Sequence, residues 1–459
     1  MRITSIEISN YRAFKGAPLK IDLHAAGKNL LVYGENGSGK SSLYLALKNF
    51  LECAAKNHNI IDYPFRNLFV QTDDCYIKLQ FSNKNGYRDP DAKLYEWSNA
   101  KNDTGERLIL ELDKTKGFID YKALLATYFL HQEKTSVNVF DLFVTSIVAN
   151  VENDLTKRTF GEEWRKIKQS IPRRNAGDPL RQLDQLIQEF NDGLREKLKE
   201  LTRETGKILT HFGYDIAVEF TFGGIAYKRE SKTIENQLIG LKVKFFRKER
   251  DDHHHFLNEA KLSAIAISVF FAALLLQPRS RLRILALDDV LIGLDMSNRM
   301  PVLDILDKHF DGYQIFFFTY DRVWYEIIRQ RNQTWKHVEF FACNTDEGEL
   351  PIYAEDKKYL DKAREYFQAN DYRAAAIYLR THFEVKLKEF CDKKNLKVKY
   401  KNNPKHLQAK DFWTAVCDKD NGGPFTSPAL TTQVDLCLTN IMNPLCHSRT
   451  INFHKKEIQ

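Results

Sequence analysis

Apolar and polar positions along the chain fall into distinct regimes. Short apolar runs read as strands: "MRITSIEISN" at the start, "LLVY" over Leu30–Tyr33, Ile284–Leu287, "IFFF" from Ile315, and "HVEFFACN" after Trp335. A run without polar alternation, such as Ile284–Leu287, is the pattern of a parallel strand covered on both faces. In the middle of the chain apolar residues recur at three and four: Leu180, Leu183, Ile187, Phe190, Leu194, Leu198 and Leu201, then Ile208 and Phe212. That spacing marks one face of a helix and suits a short coiled-coil seam. The pattern begins after Phe160, breaks at "IPRRNAGDP" (Ile171–Pro179) and resumes. It predicts an inserted helical hairpin whose longer limb reaches about 45 Å, at roughly 1.5 Å per residue. "FLNEAKLSAI" (Phe256–Ile265) opens the most apolar helix, and from Tyr359 the chain is helical. "DEGELP" marks a boundary near residue 350. The expected class is therefore α/β: 1–150 and 213–350 form one mixed domain, 151–212 a helical insertion, and 351–459 an all-helical interaction domain.

A chain of 459 residues suggests two or three domains, and 43% hydrophobic with 28% charged residues describes a soluble globular protein. The 69 basic and 61 acidic residues are evenly spread, so the net charge of +8 admits nucleic acid or an acidic partner without demanding either. Seven cysteines, at 53, 75, 343, 391, 417, 437 and 446, include no Cys-x-x-Cys pair. They suggest reduced cytosolic thiols rather than a disulfide frame or zinc site. His253, His254 and His255 are consecutive and point in different directions, which does not suit one metal ion. The start lacks a signal-peptide core. The longest apolar run, Leu262–Leu276, carries two serines and is shorter than the ~18 residues of a membrane span. The expectation is a cytoplasmic protein without membrane partners.

Two stretches carry chemistry. "LLVYGENGSGKSS" is a strand, then Gly34-Glu35-Asn36-Gly37-Ser38-Gly39-Lys40-Ser41 with Ser42 following, then a helical pattern through Leu43, Leu45 and Leu47. This is G-x-x-x-x-G-K-[ST] in strand–loop–helix context. Gly34, Gly37 and Gly39 let the backbone curl so that N–H groups point inward, and the helix N-terminus adds partial positive charge. Lys40 is expected on the β and γ phosphates, and the Ser41 hydroxyl on Mg²⁺. The second half supplies the acid: Ile284–Leu287 ends in Asp288-Asp289. Asp288 is expected in the Mg²⁺ shell, and Asp289 is placed to polarise an attacking water.

About 250 residues separate the two motifs, far more than in a compact GTPase or kinase-like P-loop domain. Upstream of the acids, "LNEAKLS" leads into the apolar helix. Here the chain resembles the ABC-type ATPases of the SMC, RecF and double-strand-break-repair families, whose signature has the form Leu-Ser-Gly-Gly-Gln. Asn258 replaces the serine, Glu259 and Ala260 the glycines, and Lys261 the glutamine. "IEISNYRAF" resembles the opening strand, with Arg12 where the family contacts nucleotide. "YFLHQEKTS" places Gln132 like the glutamine that joins Mg²⁺ and the attacking water. Gly293-Leu294-Asp295 resembles the D-loop that touches a partner subunit. Tyr320 stands where the family's switch strand has histidine. Its unperturbed pKa of about 10 bars histidine-like titration near neutral pH, but it can donate a hydrogen bond to phosphate.

The resemblance covers residues 1 to about 330 and implies ATP and Mg²⁺ as cofactors. It places ATP between the Lys40 cradle of one subunit and the Asn258 segment of another, in a homodimer or larger ring. Hydrolysis should be slow, since Asp289 is one methylene shorter than the glutamate of transport-type members. A short arm without hinge or Cys-x-x-Cys hook speaks against a long-range DNA tether. Compact ATPases of this kind resemble those of bacterial antiphage systems, that of PARIS foremost, with those of Septu and the OLD-like ATPases as alternatives. The implied role is a sensor that answers a phage protein and controls an effector, a TOPRIM or HNH nuclease. The alternative is a repair or replication ATPase that binds DNA directly. The tail resembles HEPN domains: His447 is present, but Asn440 and Met442 occupy the places of their arginine. Without that guanidinium little stabilises a pentavalent phosphate, so an interaction module is expected rather than an RNase. Arg380 and Glu384 should form a surface ion pair one turn apart, and "KKNLKVKYKNNPKH" (Lys393–His406) a solvated basic loop.

Overall fold

A computed structural model describes residues 1–16, 18–56, 58–82, 93–126, 138–172, 177–246, 248–250, 253–278, 280–345, 348–355, 359–368, 372–399 and 409–438. The continuous apolar runs pair as expected for strands covered on both faces. β3 (Leu30–Gly34), β6 (Lys116–Asp120), β12 (Ile284–Asp288), β13 (Gln314–Thr319), β14 (Lys336–Thr345) and β15 (Gly348–Glu355) form one sheet in the order β15-β14-β3-β13-β12-β6. Every neighbouring pair from β14 to β6 is parallel. Every position of β3, β12 and β13 is buried. The register sets Asp288 beside Phe318 on one side and Asp120 on the other, so several strands end along a single edge. Ligands of open α/β sheets gather at that carboxyl edge.

Strand alternation feeds two cores. Leu30, Val32, Ile284, Ala286, Phe316 and Phe318 face α1 (Lys40–Lys56), joined by an antiparallel sheet of β1 (Arg2–Ser9), β2 (Leu19–Asp22), β4 (Tyr76–Ser82) and β5 (Lys93–Ser98), ordered β2-β1-β4-β5. Leu31, Leu285, Leu287 and Phe317 face the other way, toward α8 (Glu259–Leu275). Every residue of α8 from Leu262 to Leu274 is buried, as a helix apolar on all sides must be. The short helices α2 (Arg107–Asp113), α3 (Tyr121–Leu125) and α4 (Phe140–Leu142) flank the β6 edge in sequence.

The helical insertion consists of α5 (Phe160–Gln169), started by a Thr159–Glu162 capping box, and α6 (Asp178–Leu209). The break foreseen between Ile171 and Pro179 is present, and every apolar position read from the three-and-four pattern is buried. α5 covers part of that face, with Phe160 and Trp164 against Phe190, and the expected seam is not the whole cover. α6 packs on α8 and on β7 (Ile216–Phe222), inside the same core as the parallel sheet. It is part of the mixed domain's core rather than a projecting arm. Beyond it lie β8 (Ala226–Lys228) paired with β9 (Thr233–Glu235), and β10 (Ile239–Phe245) between β7 and β11 (Lys248–Arg250). α7 (His253–Phe256), α9 (Met296–His309) and α10 (Arg322–Arg331) complete this unit.

The first unit runs to Ala354 and the second from Glu355, so the "DEGELP" boundary moves past β15, a strand of the main sheet. The second unit contains α11 (Tyr359–Gln368), α12 (Tyr372–Lys393), α13 (Ala409–Cys417) and α14 (Pro428–Cys437), around Leu387, Phe412 and Trp413. Glu384 pairs with Lys388 at 2.7 Å rather than with Arg380. Asn440, Met442 and His447 lie outside the described residues. No helix among the described residues is long and apolar enough to cross a membrane.

Candidate nucleotide-binding site

The loop between β3 and α1 has the shape its glycines allow. Gly37 and Gly39 have φ of +81° and +90°, conformations that side chains resist. At Gly34 an added Cβ would lie 2.4 Å from Ser38 Oγ and 3.3 Å from the Lys40 side chain, so only hydrogen fits. Glu35, Asn36 and Gly37 are exposed, whereas Ser38 and Lys40 are buried. Amides of Ser42 and Leu43 bond the Gly39 carbonyl at 3.0 and 3.1 Å, so the helix begins directly beneath the loop.

Lys40, Ser41, Asp288 and Asp289 converge. Lys40 Nζ is ion-paired with Asp289 Oδ2 and lies 3.8 Å from Asp288 Oδ1. Ser41 adjoins the Asp288 carboxylate. Burial pushes the Asp288 carboxyl up to about 6, with Asp289 and Asp120 adding to the rise and Lys40 opposing it. Asp289 has φ +52°, a left-handed conformation that Asp tolerates better than most residues. Its Oδ1 accepts the Tyr320 amide at 2.9 Å, and its own amide donates to Phe318 O at 3.2 Å. Tyr320 thus enters the cluster through its backbone, with its side chain 41% exposed. Arg12 (φ +48°) follows β1; its Nη1 donates to Pro64 O at 3.3 Å, and the next amide, Ala13, reaches Ser42 Oγ at 3.4 Å. Arg12 therefore sits beside the loop. Gln132 lies outside the described residues.

The donor set fits a metal-bound triphosphate. Ser38 Oγ and Asp288 Oδ1 are buried without a hydrogen-bond partner among the described residues, a state that is costly unless a ligand or water completes it. An acid beside a hydroxyl suits a hard cation with oxygen ligands. The exposed loop amides and Lys40 suit phosphate oxygens.

Asn258, Glu259, Ala260, Lys261 and Asp295 form a second group. Asn258 caps α8, its Oδ1 accepting the Lys261 amide at 3.1 Å. Lys261 lies over the Tyr214 and Phe245 rings, 5.4 and 5.7 Å from their centroids. Burial and the neighbouring Glu259 carboxylate raise the Tyr121 phenol's pKa, and Ala260 packs on the core. At Gly293 a Cβ would come 2.6 Å from Ser263 Oγ and 3.1 Å from Glu259 Oε1. Asp295 caps α9 and accepts from Ser297 Oγ at 2.7 Å and Asn298 Nδ2 at 2.9 Å; Tyr214 OH donates to Asn298.

Three residues here escaped the sequence reading. Asp120 stands beside Asp288 through strand register alone. Arg299 bonds the carbonyls of Leu291 (3.1 Å) and Leu294 (2.7 Å) and reaches Asp321 at 2.5 Å, tying the segment after Asp289 to the Tyr320 turn. Tyr44 lies buried one helical turn beyond Lys40. The spacing of four from Lys40 was legible for Tyr44; the other two have no local signal.

A model of the RecF/RecN/SMC N-terminal domain matches residues 2–338. No curated protein matches the chain. Among solved structures, the Smc head domain of Pyrococcus furiosus with an extended coiled coil, bound to the C-terminal domain of ScpA, is 13% identical; 81% of this chain and 99% of that one are covered, with a TM-score of 0.44. An SMC head bound to the C-winged-helix domain of ScpA is 14% identical, covering 79% and 100%, with a TM-score of 0.41. The SMC head of Thermotoga maritima is 13% identical, covering 77% and 100%, with a TM-score of 0.37.

Proposed function

Because the chain belongs to the RecF/RecN/SMC N-terminal domain family, whose members are ATPases, we propose that it binds and slowly hydrolyses ATP at the loop Gly34–Ser42. The observation that supports this best is the buried Lys40–Asp288–Asp289 cluster, with Ser38 Oγ and Asp288 Oδ1 lacking partners among the described residues. Lys40 leaves Asp289 for the β and γ phosphates, and the loop amides hold the remaining oxygens. Ser41 and Asp288 would hold Mg²⁺, with Gln132 as a further ligand, and the cation would supply charge neutralisation on the phosphates. Asp289, released from Lys40, accepts a hydrogen bond from the attacking water while Tyr320 N–H fixes its other oxygen. Asn258 and Asp295 face the nucleotide of a second copy, with the amides at the start of α8 completing its phosphate site.

The finer reading is a sensor ATPase of an antiphage system, of the kind of AriA in PARIS, controlling a TOPRIM or HNH nuclease and answering a phage protein. Its support is a head whose inserted helix is packed on its own core and a helical second unit fit for protein contact. Steady-state ATP hydrolysis by the full chain tests the first level: Lys40→Ala and Asp289→Ala should each lose turnover sharply, and full turnover in both would refute the site. Co-purification with the product of an adjoining nuclease gene tests the second. Hydrolysis stimulated by duplex DNA, with no such partner, would replace the sensor with a DNA-binding repair ATPase.

A further inference from the structure

Two buried polar atoms at the carboxyl edge of the sheet lack hydrogen-bond partners among the described residues and are complementary: the Tyr44 hydroxyl, a donor, and Asp288 Oδ1, an acceptor. Tyr44 is 1% exposed and lies four residues after Lys40, on the same face of α1. Its ring is held edge-on by Phe118 (centroids 5.5 Å, 70°) and Phe318 (5.9 Å, 88°). Both clamps belong to strands that flank Asp288. Phe318 is its register partner on β13, and Phe118 lies two residues before Asp120, its partner on β6. Residues two apart on a strand share a face, so Phe118 and Asp120 stand on the α1 side, as Ala286 and Asp288 do one strand over. The ring therefore cannot swing its hydroxyl out to solvent. Burial, then the charges of Asp120, Asp288 and Glu52, raise the phenol's pKa, which keeps it a donor. Lys40 Nζ, at 3.8 Å from Asp288 Oδ1, is beyond hydrogen-bond reach.

Packing alone does not call for the hydroxyl, since a phenylalanine would make the same two ring contacts. A buried donor and a buried acceptor on one wall of a polar site are the partners that an ordered water requires. We propose that Tyr44 is a positioning residue of the metal site: its hydroxyl donates to a water that also hydrogen-bonds Asp288 Oδ1, orienting that carboxylate toward the cation it shares with Ser41. The proposal rests on the nucleotide reading given above. Second-sphere groups of this kind tune a metal's affinity without touching it.

The test is Tyr44→Phe in the full chain, read by two measurements that do not depend on turnover. One is binding of a fluorescent non-hydrolysable ATP analogue, titrated with Mg²⁺ and repeated in EDTA; the other is the thermal midpoint without ligand. The expected result is unchanged binding in EDTA, an unchanged or raised midpoint, and an Mg²⁺ requirement about threefold to tenfold higher, the scale of one water-mediated hydrogen bond. An unchanged Mg²⁺ requirement overturns the proposal, as does a lowered midpoint with equal loss of binding in EDTA. Wild-type protein that binds no analogue, matching Lys40→Ala, removes the nucleotide reading itself and the proposal with it. Should the variant fail to fold, a crystal structure of the wild type decides: a water between Tyr44 OH and Asp288 supports the proposal, and its absence refutes it.

Discussion

Replacing Asp289 by asparagine should weaken the empty protein yet tighten its hold on ATP. Lys40 and Asp289 form an ion pair whose side chains are 6% and 16% exposed, and Lys40 cannot serve a phosphate until that pair opens. Asparagine keeps the size, tolerates φ +52°, and retains an oxygen for the Tyr320 amide now 2.9 Å from Oδ1. Only the charge is lost. Breaking a buried pair from one side costs about 3–5 kcal/mol. Here Asp288, 3.8 Å from Lys40, keeps part of the attraction, so a loss of about 1–3 kcal/mol in unfolding free energy is expected. Part of that returns on binding, because Lys40 no longer leaves a partner; a return of about 1.4 kcal/mol is tenfold in affinity. Hydrolysis should fall at least about a hundredfold, the usual effect of removing a group that handles the water's proton. Urea unfolding of the empty protein, titration with a fluorescent ATP analogue and single-turnover hydrolysis supply the three numbers. Unchanged stability together with about tenfold weaker binding would refute the competing-pair argument.

Asn258→Asp keeps the cap on α8, since both residues serve equally there, and adds one negative charge. Hydrolysis should disappear while ATP binding stays within about twofold; surviving hydrolysis would reduce Asn258 to a cap. The pair of His211 and His309, with Nε2 atoms 3.1 Å apart, predicts acid sensitivity. Burial first, then the charges of His211, Lys308 and Lys207, lower the His309 pKa from 6.5, with Glu204 opposing. A base with a depressed folded pKa binds fewer protons in the native state, so stability is full above about pH 6.5 and declines as pH falls toward the folded pKa. Urea midpoints at about pH 7.5 and 5.5 should diverge in the wild type and converge in His309→Asn; equal divergence in both would refute it.

The parts of this molecule that were legible in sequence are those whose cause is local. β3, β12 and β13 are apolar at consecutive positions because sheet neighbours and helices cover both their faces, and the phosphate loop is contiguous. Periodicity in α6 reported which face is apolar and could not report what covers it. The apolar positions read in α6 are all buried, and the cover is α8 and β7 in addition to the expected partner helix α5, whose Phe160 and Trp164 rest on Phe190. Asp120 has no local signature because its place beside Asp288 follows from pairing β6 with a strand 168 residues away in sequence. "DEGELP" is polar and carries a proline, the pattern of a boundary, yet an edge strand accommodates both and β15 begins within it.

The departures from a glycine-rich signature also find a local cause. Glycines at 259 and 260 would leave that turn without side chains; here Glu259 neighbours Tyr121, the residue after Asp120. Lys261 lies over the Tyr214 and Phe245 rings. Tyr214 in turn donates to Asn298, which bonds Asp295. Gly293 is packed so closely on Ser263 and Glu259 that a methyl group would force them apart. Arg299 then fastens Leu291 and Leu294 to Asp321, beside Tyr320. The start of α8, the turn before α9 and the segment after Asp289 are thereby joined by short side-chain links to the strand ends around Asp288. Packed elements with few alternative arrangements shift together rather than singly. These contacts predict that a displacement at Asp289 reaches Asn258 and Asp295, so Arg299→Ala should uncouple ATP binding from hydrolysis, and unchanged turnover in that variant would refute the link.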